Sequence, residues 1–115
     1  MIVLIVGMNE NSLDVILKSN YDWSTTNIQK MLPLEQYLTL LRITKNEFDI
    51  SMLAVDDIKK ILNEKFIITK TSNTIGMSLM KKVGKFVDRI KVGNGYCYKI
   101  TSNGEKHLTE MVESE

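Results

Sequence analysis

SNTIGMSLMKKVGKFVDRIKVGNGYCYKI, residues 72–100, passes from a helical period to a strand period, and the order of the two decides the fold. At about 100° per residue, Ile75, Leu79, Val83 and Phe86 fall in one apolar arc, with Thr74, Ser78, Lys81 and Lys85 opposite. The spacing predicts an amphipathic helix over 72–85, N-capped by Ser72, with a hydrogen-bonding and cationic outer face. Gly76 and Gly84 each cost such a helix about 1 kcal/mol relative to Ala, which points to a close packing contact or a helix end near Gly84. Beyond it, DRIKVGNGYCYKI (88–100) alternates. Ile90 and Val92 stand against Arg89 and Lys91, then Tyr96, Tyr98 and Ile100 against Cys97 and Lys99. Gly93-Asn94-Gly95 supplies the positive-φ residues of a tight turn, so the segment reads as a hairpin.

Working upstream, Pro33 suits a first helical turn, and Leu34, Leu38 and Leu41, widened by Tyr37 and Leu40, predict a helix over 33–44. Phe48, Ile50 and Met52 alternate with Asp49 and Ser51 as a short strand would. From Val55 to Lys65, Ile58, Ile61 and Leu62 form a buried stripe, and Asp56 and Asp57 meet the positive end of the helix dipole. Phe66 and Ile67 then close that helix onto the core, and IITKTSN (67–73) supplies a turn. Downstream, Ser102 and Glu105 have capping-box spacing before Leu108, Met111 and Val112, which predicts a closing helix with an acidic end. Upstream of Pro33, Ile2–Val6 reads as a short strand, and Ser12 with Leu13, Ile16 and Leu17 as a brief helix. Residues 20–30 form a polar connector around Trp23, which with Tyr21 is either the lid of a small core or an anchor for a partner. The seven Met residues serve mostly as gap fillers.

The chain has 115 residues, 43% apolar and 25% charged, enough for one packed domain and too few for the larger enzyme architectures. Its longest apolar run, Ile2–Val6, is too short to cross a bilayer and follows no basic residue. The expectation is an intracellular, cytoplasmic protein that does not enter a membrane. A single Cys97 forms no internal disulfide, as in a reducing compartment. Charge is segregated. Residues 1–58 hold 4 basic against 8 acidic side chains, a balance of −4, and 59–106 hold 11 against 3, a balance of +8; the tail from His107 carries −3. Such a division either builds a one-sided field that attracts a polyanion or merely solvates one face with lysines.

Helix, short strand, helix, turn, helix and two-stranded hairpin is an order that resembles the winged helix-turn-helix family over residues 33–112. YKITSNGEK (98–106) is similar to the wing exit of many prokaryotic winged-helix regulators. Over a shorter span, TIGMSLMKKVGK followed by RIKVGNGYCYKI is also similar to the winged-helix piece at the C-terminal end of some viral and plasmid primase-helicases. The resemblance implies an α+β domain over 33–112, with a three-helix core, a two-stranded wing and a C-terminal helix. Residues 1–32 become an N-terminal extension packed on the core or at a dimer interface, and 113–115 a tail. In this family the third helix enters the major groove and the wing touches the flanking backbone or minor groove. By position, that implicates Ser72, Asn73, Thr74, Ser78, Lys81, Lys82 and Lys85, with Arg89, Lys91 and Asn94 on the wing. The residue types suit these roles, since Lys neutralises phosphates, Ser and Thr hydroxyls reach phosphates or base edges, and Asn pairs with adenine. Only two Arg occur in the chain, Arg42 and Arg89, which favours backbone-dominated binding over sharp sequence reading.

The function expected is therefore double-stranded DNA binding by a nucleoid-associated transcriptional regulator, as a homodimer reading two half-sites. The competing class is a protein-interaction module, for example in a DNA replication assembly, that uses Tyr21, Trp23 or the Ile2–Val6 strand. RNA is disfavoured because the basic strands lack the aromatic RNP pattern. One His and one Cys, with no HExxH or CxxC, offer no metal site. His107 reads as a surface or partly packed residue without a partner, Cys97 as a small strand residue, and Gly93-Asn94-Gly95 is no phosphate-binding loop. Neither a cofactor nor catalysis is expected.

Overall fold

Pro33 opens the central helix of the structure, a computed structural model that describes residues 13–113. The strand expected at Ile2–Val6, and Ser12 as a helix cap, lie outside the described residues. A helical turn at 13–17 and two 3-10 turns, Trp23–Thr26 and Ile28–Lys30, lead into α1 (Pro33–Phe48). Next come β1 (Leu53–Ala54), α2 (Val55–Phe66), α3 (Ser72–Met80), β2 (Val87–Val92), β3 (Gly95–Ile100) and α4 (Ser102–Glu113). The three strands form one antiparallel sheet in the order β1-β3-β2, so the domain is α+β. No described helix is long and apolar enough to cross a membrane.

α1 is buried on most of its circumference, with Tyr37, Leu38, Leu40, Leu41 and Thr44 all inaccessible or nearly so. It runs four residues past the expected end at 44, because Asp49 takes a left-handed conformation (φ 57°) and the Ile50 N–H closes back on the Thr44 carbonyl at 2.9 Å. Phe48 is thus the last helical residue, stacked on Trp23 with centroids 6.1 Å apart, and the strand expected over Phe48–Met52 does not form. The actual strand is Leu53–Ala54, paired with Tyr98 and Cys97. Ile16, Trp23 and Ile28 join the same buried cluster as α1, α2 and α3, and Trp23 lies under Tyr21, Phe48 and Phe66 as a core residue.

α2 begins with the Asp57 carboxylate accepting from the Ala54 N–H at 3.1 Å. It ends like α1. Ile67 is left-handed (φ 56°) and the Ile68 N–H reaches the Leu62 carbonyl at 3.0 Å. Ile67 was expected in the core, yet it is 87% exposed, because the left-handed turn points its side chain outward.

α3 is capped one residue earlier than expected. The Thr71 hydroxyl oxygen accepts from the Thr74 N–H at 3.1 Å, while the Ser72 hydroxyl donates to Asp56 at 2.6 Å. The helix also stops at Met80, not at Lys85. Lys82 N–H to Leu79 O (2.9 Å) and Val83 N–H to Met80 O (3.3 Å) tighten the last turn, and Gly84 at φ +82° bonds across to the Val87 carbonyl. Val83 therefore leaves the apolar arc and is 41% exposed. Gly76 is not required by packing, since a Cβ there would meet only Val55 at an ordinary 3.8 Å.

In the hairpin, Val92 pairs with Gly95 around a two-residue turn. Within it Gly93 supplies the positive φ (61°), the type II′ arrangement. The register pairs Arg89 with Tyr98 and Lys91 with Tyr96, while Ile90 pairs with Cys97. Paired residues share a face, so Arg89 and Lys91 lie on the side of the buried Val87, Tyr98 and Ile100, and Ile90 and Val92 on the other. This reverses the apolar-against-basic division that β2 alone suggests. Finally, Thr101 and not Ser102 caps α4. Its hydroxyl accepts from the Gly104 N–H at 3.1 Å and donates to the Lys85 carbonyl at 2.8 Å.

Candidate nucleic-acid interface

The ten residues expected to meet DNA fall in three places. The first turn of α3 holds Ser72, Asn73 and Thr74. Asn73 and Thr74 are exposed, but the Ser72 hydroxyl is engaged with Asp56 and the Thr74 hydroxyl accepts from that of Thr71 at 2.8 Å. Ser78, one turn on, is half-buried. Between them the outer face of α3 carries Met77 and Met80, about half exposed, where gap-filling methionines were expected. The signal was in the sequence. Met77 and Met80 lie about 200° and 140° round the wheel from the buried Ile75.

The second group surrounds Phe86, on the turn that replaces the last part of the expected helix. Lys81 is exposed at the helix C-terminus, and the Lys82 and Lys85 ammonium groups sit 5.5 Å and 5.3 Å from the Phe86 ring centroid. Such cation–ring contacts are worth about 0.5–1 kcal/mol at exposed sites and hold the lysines near one spot. From α4, Lys106 and His107 line a small cavity with Lys85 and Phe86. His107 is not the partnerless residue expected. Its ring stacks on Phe86 with centroids 4.5 Å apart, and its Nε2 is 3.1 Å from Glu35 Oε2 on α1. Nothing in the local sequence pairs Lys106 or His107 with Lys85, since the approach is made by the Thr101 turn.

The third group is the hairpin. Residues 91–96 are all exposed, so its outer half stands clear of the core. The Arg89 guanidinium lies 4.3 Å over the Tyr96 ring, diagonal to it across the strands, and Lys91 is directly opposite Tyr96. Asn94 occupies the exposed turn. On the opposite face, burial and then the nearby Asp57 carboxylate push the Cys97 thiol up, which disfavours a reactive thiolate. Burial likewise pushes the Asp57 carboxyl up, against the lowering effect of the Ala54 N–H and with a smaller contribution from Asp56. Among the described residues, no group of three or more His, Cys, Asp or Glu side chains is arranged to hold a metal ion. Compared with known proteins, the chain matches no family model, no curated protein and no solved structure.

Proposed function

We propose that this chain is a winged helix-turn-helix module that binds duplex DNA, with α3 against the major groove and the β2–β3 hairpin as its wing. The observation that carries the reading is the hairpin: it follows α3 through one turn, its outer half is free of the core, and Arg89 and Lys91 share one face of it. The element order and the sheet order β1-β3-β2 support the same reading, as do the polar first turn of α3 and the lysines at its other end. With one guanidinium in the basic half, binding is dominated by phosphate contacts, as in a regulator whose specificity comes from two half-sites in a dimer. The reading assigns no catalytic step and no cofactor.

A second reading is favoured by Met77, Met80 and Val83, apolar side chains at a spacing of three that are 52%, 51% and 41% exposed on and just beyond α3. On that reading α3 presents a surface for a protein partner. Titration of random-sequence duplex at low salt separates the two. A non-specific DNA binder has a Kd of about 1–100 μM, and an interaction module shifts no duplex in that range.

A further inference from the structure

A cavity of about 700 Å³ opens between the two 3-10 turns and α1, and none of the ten residues expected to meet DNA lines it. Glu35, Thr39 and Arg42, at i, i+4 and i+7, line it along one stripe of α1, and Lys30 lines it from the 3-10 side. Glu35 is only 6% exposed. Its Oε2 is held by His107, and its Oε1 is buried without a hydrogen-bond partner. A buried carboxylate oxygen without a donor is unfavourable, so Glu35 presents an unmet demand for an N–H at one end of the cavity. Arg42 is half-exposed about 10 Å of helix rise away, and neither it nor Lys30 is in an ion pair among the described residues. Met31, Leu32 and Ile43 supply apolar wall between the two ends.

We propose that this cavity binds a small zwitterion, its ammonium group on Glu35 and its carboxylate on Arg42 and Lys30, the two joined by a short chain. The complementarity is of sign. An ammonium donates a charge-assisted hydrogen bond to the Glu35 carboxylate, and a carboxylate accepts bidentately from the planar Arg42 guanidinium. The site does not depend on the DNA-binding reading, and its test involves no DNA.

The experiment is calorimetric titration of the full chain with 6-aminohexanoate, with triglycine as a second probe and hexanoate and hexylamine as single-charge controls. At least one zwitterion should bind at least tenfold more tightly than either control, the minimum expected from one lost charge-assisted contact. A preference for 6-aminohexanoate identifies an apolar linker, and a preference for triglycine a peptide; either supports the site. Arg42→Gln should lower the affinity at least tenfold with the unfolding temperature unchanged, and Glu35→Gln should do the same in affinity. Glu35→Gln also alters the His107 pair, so Arg42→Gln is the decisive variant. The proposal is overturned by no saturable binding of either zwitterion up to about 10 mM, by equal affinity for hexanoate or hexylamine, or by an unchanged affinity in Arg42→Gln.

Discussion

The imidazole of His107 lies on the ring of Phe86, with 21° between their planes, and thereby joins α4 to the turn that holds Lys82 and Lys85. The same imidazole reaches Glu35 on α1. One side chain thus links the lysine cluster to the central helix. A double-mutant cycle of Phe86→Leu and His107→Ala, read by urea unfolding, should give a coupling energy of about 0.5–1.5 kcal/mol. Additive effects would mean that the stacking contributes nothing.

Ile67 is a β-branched residue held at φ 56° and almost fully exposed, so its side chain adds backbone strain without burial. Ile67→Gly should stabilise the protein by about 1 kcal/mol, the left-handed penalty less the flexibility that glycine adds to the unfolded chain. A loss of stability would show that the C-terminus of α2 is held by the Ile67 side chain itself.

Gly104 is buried in the first turn of α4, where a Cβ would run into the Phe86 carbonyl and approach Ile100 Cγ1 to 2.7 Å. The obstacle is partly backbone and cannot rotate away. Gly104→Ala should therefore cost about 2 kcal/mol or more despite the better helix propensity of Ala, measured as a drop in unfolding temperature.

Burial and the Asp57 charge both disfavour the Cys97 thiolate. Asp57→Asn removes the smaller of the two effects, and an amide oxygen can still accept from the Ala54 N–H. Alkylation of Cys97 should follow thiolate formation, with a midpoint above the ordinary thiol value in the natural chain and at lower pH in Asp57→Asn. An unchanged midpoint would leave burial as the whole cause.

Periodicity read the elements well and their ends poorly. Ile75 and Leu79, Ile58 and Ile61, and Leu38 and Leu41 are buried as their spacing requires. The ends depend on backbone closures that no hydrophobic pattern reports. Asp49 and Ile67 terminate helices in a left-handed conformation, which is rare for a β-branched residue such as Ile67, and Thr71 and Thr101 take the caps from the serines beside them. The end of α3 had a visible signal in Gly84, but a wheel that accepted Val83 and Phe86 as apolar arc ran the helix through it. The candidate interface suffered accordingly. Lys82 and Lys85 belong to a turn around Phe86 instead of a helix face, and the tertiary approach of Lys106 and His107 has no local trace. The hairpin was legible because its turn and its alternation are both local, although its two faces were settled only by the cross-strand register.

The salt dependence of duplex affinity, compared between the natural chain and the Arg89→Gln/Lys91→Gln double variant, tests the central claim most directly. If the hairpin is a wing on the phosphate backbone, log K falls linearly with log salt concentration, and the double variant lowers the magnitude of the slope by about two units. An identical slope in the two proteins, or no duplex binding at about 50 mM salt and 100 μM protein, would contradict it.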